Sequence, residues 1–134
     1  MLKDIPELIV ENIAIAVVKE NGELEEDVWN VYFINLKSEE IEAVLVTSTG
    51  YGEMEGEKLK TSTLRHFLDK VGAKSAVKIE PIMENVFGLN NEYWVSFYHQ
   101  KKMYDKKYLF LAESIREDNF ITIPIINKKG VMIK

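Results

Sequence analysis

Thr61-Ser62-Thr63-Leu64-Arg65-His66-Phe67-Leu68-Asp69-Lys70-Val71-Gly72 is the stretch on which the fold class turns. Leu64, Phe67, Leu68 and Val71 recur at i, i+3, i+4 and i+7, the spacing that gathers apolar side chains on one face of an α-helix. Thr61, Ser62 or Thr63 can supply an N-cap oxygen for the first free amides. Gly72 stands where helices commonly end in a left-handed residue. Arg65, His66, Asp69 and Lys70 take the wet face. The pattern predicts one principal amphipathic helix over residues 62–71.

The flanking segments read as strands. Upstream, residues 8–18 end in β-branched side chains before the turn dipeptide Asn21-Gly22. Residues 28–36 are apolar on both faces. Residues 41–48 follow a link of only four residues, 37–40, which predicts an antiparallel neighbour and a three-stranded meander. Downstream, residues 75–82 alternate but carry Pro81, which lacks a ladder donor and so marks an edge or an end. Residues 92–100 hold four aromatics, and residues 108–111, 120–126 and 131–133 are further short strands. Residues 83–89 and 113–119 have room for short helical pieces. Strands in runs around a single helix predict an α+β domain. Its sheet is mostly antiparallel and curled, with about six to eight strands. One domain covers residues 1–134, with residues 1–6 a candidate flexible tail.

Composition bounds the function classes. The chain is 134 residues long, 46% hydrophobic and 29% charged, which is globular and large enough to build a core without staples. It has no cysteine, so thiolate metal sites, disulfides and cysteine nucleophiles are excluded, and a reducing, cytoplasmic setting is expected. The opening residues Met1 to Glu7 lack the basic-then-apolar layout of a signal peptide. The apolar run 13–18 is far short of the roughly 20 residues that cross a bilayer. Charge is uneven: residues 1–57 carry 14 acids and 3 bases, residues 58–134 carry 8 acids and 14 bases. Interleaved strands would let these halves face each other; segregated, they would give acidic and basic faces.

Motifs for chemistry are weak. Gly50-Tyr51-Gly52-Glu53-Met54-Glu55-Gly56 looks like a phosphate loop, but it lacks the Gly-Lys-Ser/Thr ending and its glutamates would repel an anion. It is expected to be a turn or mobile loop. Glu23, Glu25, Glu26 and Asp27 lack calcium-loop spacing. His66 and Asp69, three apart on the expected helix, form a candidate polar pair that could orient a base, with a plain surface ion pair as the simpler reading. No serine motif accompanies them, and two distant histidines do not make a metal site. No cofactor, no metal and no catalytic residue are expected, and the balance is against an enzyme.

The aromatics stand out. Tyr93, Trp94, Phe97, Tyr98, Tyr104, Tyr108 and Phe110 fall within eighteen residues, interleaved with Lys101, Lys102, Lys106 and Lys107. On one strand Tyr93, Val95 and Phe97 share a face, and Trp94, Ser96 and Tyr98 share the other. One face is core. The second is either core as well or an exposed aromatic row suited to a partner. Trp29, Tyr51, Trp94, Tyr98, Lys101, Lys102, Tyr104, Lys106 and Lys107 are therefore the candidate interaction surface. Bases stacked between such aromatics and lysines would make the chain RNA-associated, but no RNP-like motif is present and the domain is acidic overall.

Asp27-Val28-Trp29-Asn30-Val31-Tyr32, Gly50-Tyr51-Gly52-Glu53, Lys60-Thr61-Ser62-Thr63-Leu64-Arg65-His66-Phe67-Leu68 and Asn91-Glu92-Tyr93-Trp94-Val95-Ser96-Phe97 together resemble a family of uncharacterised bacterial proteins, over most of the chain. Some members carry the label phenylalanyl-tRNA synthetase α-subunit. A class II synthetase core is much longer and needs an arginine-bearing ATP site, so the resemblance brings no functional residue with it. The leading expectation is a non-catalytic interaction or regulatory module that self-associates or binds a protein. A small-ligand-binding domain and an RNA-associated protein are the alternatives.

Overall fold

The computed structural model describes residues 8–134; the expected tail at residues 1–6 and the opening segment Met1 to Glu7 lie outside them. The order of elements is β1 (Ile13–Asn21), β2 (Asp27–Asn35), β3 (Ile41–Met54), β4 (Glu57–Lys60), β5 (Leu64–Val71), β6 (Ser75–Ile82), β7 (Asn90–His99), β8 (Lys102–Phe110), β9 (Ile121–Ile123) and β10 (Lys128–Ile133). Two 3₁₀ turns, Glu84–Val86 and Glu117–Asn119, are the helical pieces among the described residues. The architecture is all-β, not α+β, and residues 62–71 are not a helix.

The extended state of residues 64–71 has a physical cause. β3 is 14 residues long and presents backbone donors and acceptors on both edges. β7 fills one edge, from Glu42 opposite Tyr98 to Tyr51 opposite Asn90. β4 and β5 fill the other, from Met54 opposite Glu57 to Ile41 opposite Val71. A bare edge would leave amides and carbonyls without partners. Against that cost stands a helix of about ten residues, a length that is marginal even with good formers. Thr61, expected at an N-cap, instead lies where β4 passes into β5. It donates its amide to the Gly50 carbonyl and accepts the Gly50 amide on Oγ1, both at 2.8 Å. The glycine stretch is not a mobile loop but strand and hairpin. Glu55 and Gly56 take φ of 55° and 81°, the two left-handed positions of a tight hairpin turn.

Two five-stranded antiparallel sheets result. The first runs β6-β2-β1-β10-β9; the second runs β4-β3-β7-β8, with β5 beside β4 on the same edge of β3. The meander expected from the first three strands is also corrected, because β2 and β3 belong to different sheets. A short link limits distance, not pairing, and five residues easily reach across the ~10 Å between packed sheets. Pro81 sits in β6, an edge strand.

Alternation sorts each strand into a core face and an outer face. Ile13, Ile15, Val17, Val31 and Phe33 from the first sheet meet Val44, Val46, Tyr93, Val95, Phe97, Tyr108 and Phe110 from the second. Tyr108 donates its hydroxyl to the Ile13 carbonyl at 2.8 Å, tying the sheets together through a buried hydrogen bond. Burial pushes that hydroxyl far above the ordinary phenol range, so it stays a donor. On the other face of β1, Ala14, Ala16 and Val18 pack with Tyr32, Ile34 and Ile123. Gly130 of β10 crosses so close to β1 that an added Cβ would fall 2.3 Å from the Val17 carbonyl oxygen.

Two buried polar groups hold the loops. Asn35, fully buried, donates its amide to the carbonyls of Glu39 and Gly72 at 2.9 Å and accepts the Lys37 amide at 3.0 Å. It thus pins two of the inter-sheet links, β2 to β3 and β5 to β6. Asn35→Ala is expected to cost about 2–4 kcal/mol, since it strands several carbonyls. Denaturant titration reads this as a lower midpoint with unchanged slope; an unaltered midpoint would contradict it. Glu20 joins β1, β2 and β10. For its carboxyl, burial works upward, but hydrogen bonds from Lys128, Tyr32 and Asn30 outweigh it and hold the group below the ordinary carboxylate range. The same contact, after burial, pushes the Tyr32 hydroxyl up to about 12. A carboxyl depressed in the folded state stabilises at neutral pH, and that stability fades as pH falls through its folded value. Glu20→Gln is therefore expected to be less stable than the parent at pH 7. The gap should narrow under acid, as followed by thermal melts across pH; a gap independent of pH would refute the assignment.

Candidate functional site

Strand register places a set of large apolar side chains on the outer face of the second sheet. Phe67 of β5 lies opposite Leu45 of β3, which lies opposite Ser96 of β7, which lies opposite Asp105 of β8. The adjacent row is Arg65, Thr47, Trp94 and Lys107. Tyr98 faces Met103 across β7 and β8, with Glu42 on its other side. Phe67 is 66% exposed, Met103 54%, Trp94 45% and Tyr98 42%. Residues facing each other across strands are in side-chain contact range. Phe67 and Leu45 are one facing pair and Tyr98 and Met103 another, while Trp94 stands diagonal to Leu45 between Thr47 and Lys107, so the five apolar groups share one face of four strands with Arg65, Lys107, Glu42 and Asp105.

Trp94 and Tyr98 are the two aromatic sequence candidates that sit on this surface. Lys107 stands on the same face beside Trp94, and the others are elsewhere. Trp29 is only 7% exposed and lies in the core, edge-on to Phe87 and Phe120, with its indole N–H donating to Glu84 at 2.8 Å. Tyr51 is half-buried in β3, opposite Asn90 and Lys60. Tyr104 is half-buried and stacked on Phe97 at 5.3 Å. Lys101 and Lys102 are exposed at the β7–β8 turn. Lys106 is half-buried, with its ammonium 5.1 Å over the Tyr108 ring, whereas Lys107 is on the outer face, 3.8 Å from Glu92. The four lysines are thus split between a turn and two faces and do not form one strip.

Strand geometry also separates His66 from Asp69, because residues three apart in a strand point to opposite faces. Asp69 is exposed. His66 is half-buried and places Nε2 2.6 Å from Glu80 Oε1, on β6 of the other sheet. Ser48 donates to the same oxygen at 2.8 Å, and the Tyr93 hydroxyl lies 3.4 Å from Oε2. Burial, the Glu80 charge and this contact all push the Tyr93 hydroxyl well above the ordinary phenol range.

Sequence reasoning missed Leu45, Phe67 and Met103, which join the surface only through pairing, and it missed Glu80, whose partners are 14 and 32 residues away. Alternation in β3 and β8 was the available signal for Leu45 and Met103. Among the described residues no cluster of His, Asp and Glu is arranged to hold a metal ion, and no helix is long and apolar enough to cross a membrane.

A family model described as a domain of unknown function (DUF4909) matches residues 30–132, well over half of the chain. No curated protein matches it.

Proposed function

The chain belongs to the DUF4909 family, and we propose that it is a non-catalytic interaction module that pairs with a second copy of itself through the outer face of its second sheet. The supporting observation is the exposure of Phe67, Leu45, Trp94, Tyr98 and Met103 together on a face where alternation ordinarily leaves polar side chains. An exposed tryptophan and tyrosine among other apolar groups are the usual anchors of protein interfaces. The border favours self-pairing. Arg65 and Lys107 stand on the same face as Glu42 and Asp105. A twofold axis through the patch can lay base against acid in both directions. A border of one sign would instead call for a partner of opposite charge. The cytoplasmic setting is part of the same reading and rests on composition.

Mass in solution tests the proposal. The chain is expected to sediment as a dimer of its 15.5 kDa protomer at micromolar concentration. Trp94→Glu is expected to weaken dimerisation by at least about 2 kcal/mol while the domain stays folded, because the side chain is nearly half exposed. Phe67→Lys, on the neighbouring row, should act alike. A monomer at every accessible concentration, or a dimer indifferent to both substitutions, would defeat the reading.

A further inference from the structure

A second feature lies on the opposite side of the same strands. The edges of the two sheets approach each other where β5 faces β6, and between them opens a cavity of about 370 Å³. That is near the lower end of the ~300–1,000 Å³ of small-molecule sites. Leu64, Ile82, Met83 and Val86 give it apolar walls. Glu80 is its one charged lining residue, and the neutral polar ones include Ser48, Thr61, Asn91 and Tyr93.

The state of that carboxylate is informative. Its side chain is only 10% exposed, so it has lost most of its water. Its compensation is uneven. Oε1 accepts from Ser48 at 2.8 Å and from His66 at 2.6 Å, whereas Oε2 has only the long 3.4 Å contact from Tyr93. A carboxylate offers about four acceptor positions, so the oxygen toward Tyr93 retains capacity that the chain does not fill. No lysine or arginine lines the cavity to fill it. A desolvated carboxylate with spare capacity, set in apolar walls, is complementary to a charged N–H donor carried on an apolar body.

We propose that this cavity binds a small organic ammonium ion, its N–H groups docked on Glu80 and its apolar body against Leu64, Ile82 and Val86. Ser48 and His66 act as positioning residues, fixing the carboxylate through the oxygen that the ligand does not need. The site is independent of the dimer surface, since Trp94 points to the other face of β7 from Tyr93.

Ligand-observed NMR on the full chain provides the test, with benzylamine and phenethylamine as probes and benzyl alcohol and 3-phenylpropionate as neutral and anionic controls. The ammonium probes are expected to bind and the two controls to bind at least about tenfold more weakly. Glu80→Gln, which keeps the shape and an acceptor, should weaken the ammonium probes about tenfold or more and erase the preference over the alcohol. Leu64→Trp, at a half-exposed wall position, should fill the cavity and abolish binding, and it serves if Glu80→Gln does not fold. Trp94→Glu should leave the affinity unchanged, so failure of the dimer reading and failure of this one are separable. Equal binding of amine, alcohol and carboxylate, no binding of any probe, or ammonium binding untouched by either cavity substitution would overturn the proposal.

Discussion

The backbone of β3 sets the terms for the rest of the molecule. Fourteen extended residues carry hydrogen-bonding groups along two edges, and both edges need partners. β7 satisfies one and the returning chain of β4 and β5 satisfies the other. The break between β4 and β5 costs little, because Thr61 restores both hydrogen bonds of Gly50. Once residues 64–71 are committed to that edge, their side chains must alternate. Leu64, His66 and Leu68 turn toward the sheet interface, while Arg65 and Phe67 turn outward.

That commitment explains what could and could not be read from the sequence. Most strands were legible, because β-branched and aromatic residues at alternate positions have few other uses. The split of Tyr93 and Phe97 from Trp94 and Tyr98 followed from alternation alone. Residues 64–71 were not legible. Leu64, Phe67, Leu68 and Val71 satisfy a helical period, and an apolar Phe67 on the outward face breaks the alternation that would mark a strand. What decides between them is the unfilled edge of β3, a long-range fact. The division into two sheets was hidden for the same kind of reason, since a link such as residues 36–40 is compatible with pairing or with crossing. Trp29 fell among the surface candidates because residues 28–36 are apolar on both faces, yet its partners Phe87 and Phe120 come from turns far along the chain.

The outer surface and the inner cavity are two consequences of one arrangement. Neighbouring residues serve opposite sides: Tyr93 contacts Glu80 while Trp94 stands outside, and His66 reaches Glu80 while Phe67 stands outside. The core between the sheets, closed by Phe33, Phe97, Tyr108 and Phe110, is rigid enough to hold both in place. The seam where β5 meets β6 is bridged by side chains and not by a backbone ladder, and that leaves room for a cavity. A helix over residues 62–71 would have removed Phe67 from Leu45 and His66 from Glu80 together.

Both surfaces depend on the extended, paired state of residues 64–71, which nuclear Overhauser contacts across β3 and β5 report. The account requires strong sequential Hα–HN contacts through this segment, with cross-strand contacts linking Phe67 to Leu45 and Arg65 to Thr47. Contacts from Hα of one residue to HN three positions on, with none reaching β3, would mean a helix and would contradict the structure and both sites built on it.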